Sequence, residues 1–121
     1  MEETKLSQSV RLKKEHAIWR ESLFAKKEGF FPLFSGFKEY LPKLSNGAVT
    51  LFIYIGLHSN NETGECFHSV DRIASFLKKT PRTINSYFKE LEEAGLIERL
   101  QLRLNGVSHT FIRPYTEQKG D

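Results

Sequence analysis

Lys78, Lys79, Arg82 and Lys89 are the only charged side chains in the stretch from 78 to 89, and Thr80, Thr83, Asn85 and Ser86 stand between them. Glu90, Glu92 and Glu93 follow directly. The chemistry this composition suits is recognition of a polyanion. Cations, hydroxyls and free backbone N–H groups at the start of a helix hold phosphate oxygens. Arginine can grip guanine through two hydrogen bonds, and asparagine can do the same with adenine. Carboxylates near the far end of the same helix would then sit away from the polyanion.

The elements that must position these side chains are marked in the surrounding residues. Thr80 is a good N-cap, and Pro81 occupies the first helical position, where no N–H is needed. Ile84, Phe88 and Leu91 form an inward stripe with Tyr87 and Ala94 at its edge. Gly95 supplies the left-handed residue that ends a helix over 81–94. With that stripe inward, Arg82, Asn85, Ser86 and Lys89 point outward and Thr83 lies at the edge. A shorter helix precedes it, with Ser69 as N-cap and Val70, Ile73, Ala74 and Leu77 on one face. Only "KKT" separates the two helices, which is a tight turn. Downstream, "LIERLQLRL" alternates, with Leu100, Leu102 and Leu104 on one side and Arg99, Gln101 and Arg103 on the other. Asn105-Gly106 predicts a two-residue hairpin turn, and "VSHTFIRPY" returns as the second strand, closed by Pro114.

Upstream, "LSNGAVTLFIYIGLHSN" is apolar enough for either a buried strand or a buried helix, and Ser45 as N-cap favours the helix. The polar "SNNETGEC" is expected to be a loop. "FFPLFSGFKEYLPKLSNG" is aromatic and punctuated by Pro32, Gly36, Pro42 and Gly47, so short turns laid over a core are expected. Residues 4–28 predict a charged amphipathic helix, with Leu12, His16, Trp19 and Leu23 at helical spacing, Leu6 and Val10 beside them, and Gly29 as the stop.

Composition bounds the class. The chain has 121 residues, 39% hydrophobic and 27% charged, with a formal net charge of +3 and one cysteine. That fits one domain of ordinary size with an aromatic core. No apolar run approaches the roughly 20 residues of a membrane span. The opening "MEETKLSQSVRLKKEH" lacks the layout of a signal peptide. Cys66 has no partner for an internal disulfide, and a cytoplasmic location is expected. There is no Gly-rich phosphate loop, zincin motif or nucleophile elbow, so no enzyme and no cofactor are expected. His58, Cys66 and His68 lack the paired short spacings of a zinc site, and no metal is expected.

Helix, tight turn, second helix and hairpin is the order of a winged helix-turn-helix, in which the second helix enters the major groove. The segment "SVDRIASFLKKTPRTINSYFKELEEAGLIER" resembles the winged helix-turn-helix of bacterial regulators and of plasmid and phage replication initiators. The resemblance is carried by Ser69, Ile73, Ala74 and Leu77, then Arg82, Thr83, Ile84, Phe88, Leu91, Gly95, Leu96 and Ile97. The upstream "LSNGAVTLFIYIGLHSNNETGECFHS" is also similar to the helix and loop before the motif in the initiator type. In place of the usual Ser or Gly at the start of the second helix stands Thr80-Pro81.

The expectations are therefore an α+β, mainly helical winged helix-turn-helix over 30–115, an extra N-terminal helix within 1–29, and a flexible tail over 116–121. The expected partner is double-stranded DNA. Arg82, Thr83, Asn85, Ser86 and Lys89 would read bases; Ser69, Lys78, Lys79, Thr80, Arg99, Arg103 and Asn105 would meet phosphate or the minor groove. The resemblance implies a transcriptional regulator or a replication or maintenance factor of a mobile element, with a replication-machinery protein as a possible second partner. The N-terminal helix would either cover Phe30 and Phe31 of its own domain or pair a homodimer through Leu12, Trp19 and Leu23. Winged helices also serve as protein-docking modules. Single-strand or non-specific DNA binding is the other alternative, but the recognition helix offers only Tyr87 for base stacking.

Overall fold

The computed structural model describes residues 4–104 and 106–115. They fall into two compact units, Met1–Phe30 and Phe31–Asp121. The tail expected at 116–121 and the hairpin residue Asn105 lie outside the described residues.

The first unit is helix α1, Lys5–Ala25, capped by the Thr4 hydroxyl, which accepts from the Ser7 N–H at 3.0 Å. No residue of α1 is buried. Its end differs from expectation. Lys27, not Gly29, takes the left-handed conformation at φ 58°. The Lys27 and Glu28 N–H groups then close back on Phe24 and Leu23, satisfying carbonyls the helix leaves open.

The second unit begins with a short 3-10 helix, Ser35–Tyr40, which drops Phe37 into the core. Phe37 stacks on Phe52 at 4.7 Å, and Tyr115 meets both rings edge-on. The ambiguous apolar run is helix α2, Asn46–Leu57, with Ser45 as N-cap and half of its residues buried. Phe31 is covered here, its ring lying over Gly56 and against Phe52, where a Cβ on Gly56 would overlap the ring.

Helix α3, Val70–Leu77, starts at Ser69, and α4, Pro81–Glu93, starts at Thr80. Gly95 sits at φ 76°, and Gly95 and Leu96 donate to Glu92 and Leu91. That pair of bonds turns the chain sharply and delivers Leu96 and Ile97 into the core. Ile73, Ile84, Phe88, Leu91 and Leu96 join Leu51, Phe52 and Ile55 as fully buried side chains. Each is worth about 1.5–3 kcal/mol against exposure, so the buried face of α4 fixes which side it shows to solvent.

Among the described residues the sheet has three strands rather than two. Strand β1, Glu65–Cys66, comes from the segment expected to be loop and pairs antiparallel with β3, Ser108–Ile112. Strand β2, Ile97–Gln101, pairs on the other side of β3, giving the order β1-β3-β2. A Glu65–His109 contact ties β1 to β3 through side chains as well. The fold is an α+β winged helix-turn-helix. The wing is wider than a two-residue hairpin, because the register ends at Gln101 opposite Ser108. Beyond the ladder, the Gly106 carbonyl accepts from the Gln101 side chain at 2.9 Å.

Candidate nucleic-acid interface

The turn between α3 and α4 is built on a lysine. Lys78 adopts φ 58°, a left-handed conformation that is unfavourable for a residue with a Cβ. The Lys79 N–H reaches the Ala74 carbonyl at 2.9 Å. The Thr80 hydroxyl accepts from the Thr83 N–H at 3.1 Å and lies 2.9 Å from the Thr83 hydroxyl. The turn is thereby closed by its own polar groups, and Lys78, Lys79 and Thr80 all remain exposed.

Along α4, Arg82, Asn85, Ser86 and Lys89 are exposed and Thr83 is half-buried. Ile84, Phe88 and Leu91 occupy the opposite face. The Ser86 hydroxyl donates back to the Arg82 carbonyl at 3.3 Å. Ser69 uses its oxygen to cap α3, accepting from the Arg72 N–H at 3.1 Å. Tyr87 leans over the first turn of α2, where its ring occupies the space a Cβ on Gly47 would fill. That contact brings α2 and α4 close and leaves Tyr87 half-buried.

Glu90 shows that the acids of α4 are not all bystanders. Its carboxylate accepts from the Ser45 N–H at 2.9 Å and from the Ser45 hydroxyl at 2.6 Å. It completes the N-terminal cap of α2 from a different helix. The segregation of charge along α4 therefore has a structural component that sequence spacing did not show.

Arg99 is the clear correction. It was expected on the solvent face of the strand beside Arg103, but Ile97 is buried and the two-residue period carries Arg99 to the same inward face. Its guanidinium lies 3.8 Å from the centre of the Phe88 ring, and its Nε donates to the Thr110 hydroxyl at 3.3 Å. Burial pushes its pKa down, partly offset by Glu92, yet an arginine stays charged across the accessible range. The leucines that alternate with it, Leu100, Leu102 and Leu104, are exposed, Leu104 at 91%. Arg103 is exposed on the wing loop, whose tip closes through the Gly106 N–H to the Arg103 carbonyl at 2.9 Å.

Two polar residues escaped the sequence reading. Asn46 and Thr50 line a hollow of about 290 Å³ with Lys79, Leu77 and Tyr87. The signal was present as a polar pair at i, i+4 on an otherwise apolar helix.

His58, Cys66 and His68 do not assemble as ligands. The Cys66 thiol is buried, which pushes its pKa up. His68 Nδ1 is engaged with the Tyr54 hydroxyl at 2.8 Å. Among the described residues, no group of three or more His, Cys, Asp or Glu side chains is arranged to hold a metal ion. Nor, among them, is any helix long and apolar enough to cross a membrane.

A family model described as a helix-turn-helix domain matches residues 43–97, which spans α2, β1, α3, α4 and the turn into β2. Among solved structures, one described as "N-Terminal domain of DNA binding protein" is similar, with a TM-score of 0.54 and 17% identity over 74% of this chain and 78% of that one. At that identity the likeness speaks to the fold. No curated protein matched the chain.

Proposed function

We propose that this protein binds double-stranded DNA and reads the major groove with α4. The observation that carries this is the exposed surface that α3, the turn and α4 present together. Lys78, Lys79, Arg82 and Lys89 stand on it with Thr83, Asn85 and Ser86, and no acid interrupts the run from 78 to 89. The core stripe of α4 forces these side chains outward at the end of the helix that meets phosphate in this fold. The helix-turn-helix match and the likeness to a domain of a DNA-binding protein agree with a DNA partner.

In this assignment Arg82, Thr83, Asn85, Ser86 and Lys89 contact base edges. Lys78, Lys79, Thr80 and Ser69 hold the backbone beside them, and Asn46 and Thr50 stand at the margin next to Lys79. Arg103 and Asn105 serve the wing, while Arg99 supports it from inside. A homodimer joined through Leu12, Trp19 and Leu23 would match a palindromic site. The biological role this suits is a transcriptional regulator or a replication or maintenance factor of a bacterial mobile element.

The deciding experiment titrates Arg82→Ala, Asn85→Ala, Lys79→Ala and Arg103→Ala on a selected duplex and on a scrambled one. Loss of a base-reading side chain costs about 1–3 kcal/mol on the selected site and little on scrambled DNA. Loss of a phosphate grip weakens both alike and flattens the salt slope by about one unit. Equal losses for all four variants on both duplexes would mean that the helix holds DNA without reading it. No affinity for any duplex would leave a protein-docking module.

A further inference from the structure

The geometry points to a parallel, in-register coiled coil between the α1 helices of two copies of this chain. The pairing deepens the proposed homodimer and rests on it. Helix α1 runs for 21 residues without burying any of them, and Leu12 and Trp19 are each 56% exposed. Leu12, His16, Trp19 and Leu23 recur at intervals of four, three and four residues. That is the spacing of a two-stranded seam, with Leu12 and Trp19 at one set of core positions and His16 and Leu23 at the other.

The charges beside the seam choose the occupant and its direction. Lys13 and Arg20 flank it on one side; Glu15 and Ser22 flank it on the other. In a parallel pair, each of these sides faces the opposite side of the partner helix, displaced by five residues. Glu15 of one copy then stands against Arg20 of the other, and by two-fold symmetry the pair forms twice. In an antiparallel pair like sides meet, which would set Lys13 against Arg20 and repel. Glu15 also lies 3.0 Å from Arg11 on its own helix, a weak, exposed i, i+4 contact with which the pair to Arg20 of the other copy competes. A second copy of this chain, running in the same direction, is thus the complementary partner for this face.

The contact is short. The seam from Leu12 to Leu23 spans about 16 Å, and His16 would meet His16 across it. A polar residue at such a position sets register at a cost in stability, so the dimer is expected to be weak and reversible.

The test uses the full chain and measures its dimer constant by sedimentation. Glu15→Arg places arginine against arginine, and Arg20→Glu places glutamate against glutamate. Each should weaken the dimer about tenfold, and the double exchange should restore it. Trp19→Ala should weaken it further, while His16→Leu should tighten it. Leu12→Cys should form an intermolecular disulfide under mild oxidation, because in-register parallel helices bring position 12 opposite itself; Cys66 is buried and does not compete. A wild-type chain that stays monomeric at about 100 times the concentration used for DNA binding overturns the proposal, as does a dimer indifferent to both charge exchanges or a Leu12→Cys dimer that resists oxidation. Binding of the wild type to a single half-site is read separately. A monomer that still binds a half-site loses only the coiled coil, whereas a dimer with these properties that binds no duplex loses only the DNA assignment.

Discussion

The Glu90 carboxylate of α4 completes the N-cap of α2 by accepting both the N–H and the hydroxyl of Ser45. The Ser45 oxygen in turn accepts from the Ala48 N–H at 3.1 Å. One acid therefore fixes where the helix that faces solvent with Arg82 and Asn85 is seated on the helix beneath it. Glu90→Ala should lower stability by about 1–2 kcal/mol, since hydrogen bonds to a charged acceptor and a helix cap are lost together. Ser45→Ala should cost a similar amount. Urea midpoints of the two single variants and the double variant should show a coupling of about 1 kcal/mol. Additive losses would mean that the two groups act independently.

Lys78 sets stability against binding. Its left-handed conformation disfavours a residue with a side chain, so Lys78→Gly should stabilise the fold by about 0.5–1 kcal/mol. The same change removes a cation from the face proposed to meet phosphate. Duplex affinity should fall on selected and scrambled DNA alike, with a shallower salt slope. A thermal melt and a salt titration of the same variant check both halves.

Arg99 and Arg103 carry the same charge in opposite settings. Arg99→Ala removes the guanidinium over Phe88 and the bond to Thr110. It should cost about 1–3 kcal/mol of stability through lost packing and hydrogen bonding, leaving the salt slope of DNA binding unchanged where the protein is folded. Arg103→Ala should leave stability within about 0.5 kcal/mol and flatten the slope. Reversed behaviour would place Arg99 at the interface and Arg103 in the support.

Salt should act strongly on the intact protein. If about six phosphates are neutralised per dimer, affinity falls roughly a thousandfold between about 50 and about 200 mM salt. Fluorescence anisotropy on a labelled duplex measures this directly. Binding indifferent to salt would point to a partner other than nucleic acid.

The His68 ring predicts a pH effect on stability. Burial, then the charges of Arg72 and His58, hold its pKa below the usual 6.5. Above that value the ring is neutral in the folded and unfolded chains and contributes no difference. As pH falls through it, the unfolded chain takes up the proton first, so this contribution to stability declines until pH passes below the folded value. Between about pH 7.5 and 5.5, the urea midpoint of the wild type should fall more than that of His68→Gln. Parallel pH profiles would remove His68 as the cause.

Helix starts and the inward stripe of α4 were legible in the sequence because they rest on local contacts. Ser45, Ser69 and Thr80 each cap a helix by bonding to a residue three positions on. The three- and four-residue repeat of Ile84, Phe88 and Leu91 admits only one inward face, and that face determines the outward set from Arg82 to Lys89. The strands were different. A period of two defines two faces without saying which meets the core, and Ile97, delivered by the turn at Gly95, settled it by drawing Arg99 inward and leaving Leu100 outside. Strand β1 is too short to announce itself and exists only because β3, some forty residues later in the chain, supplies its hydrogen bonds. The Glu90 cap likewise joins groups 45 positions apart. Bonds between neighbours in sequence are set by the order of residues, while those between distant groups appear only once the core has brought their elements together.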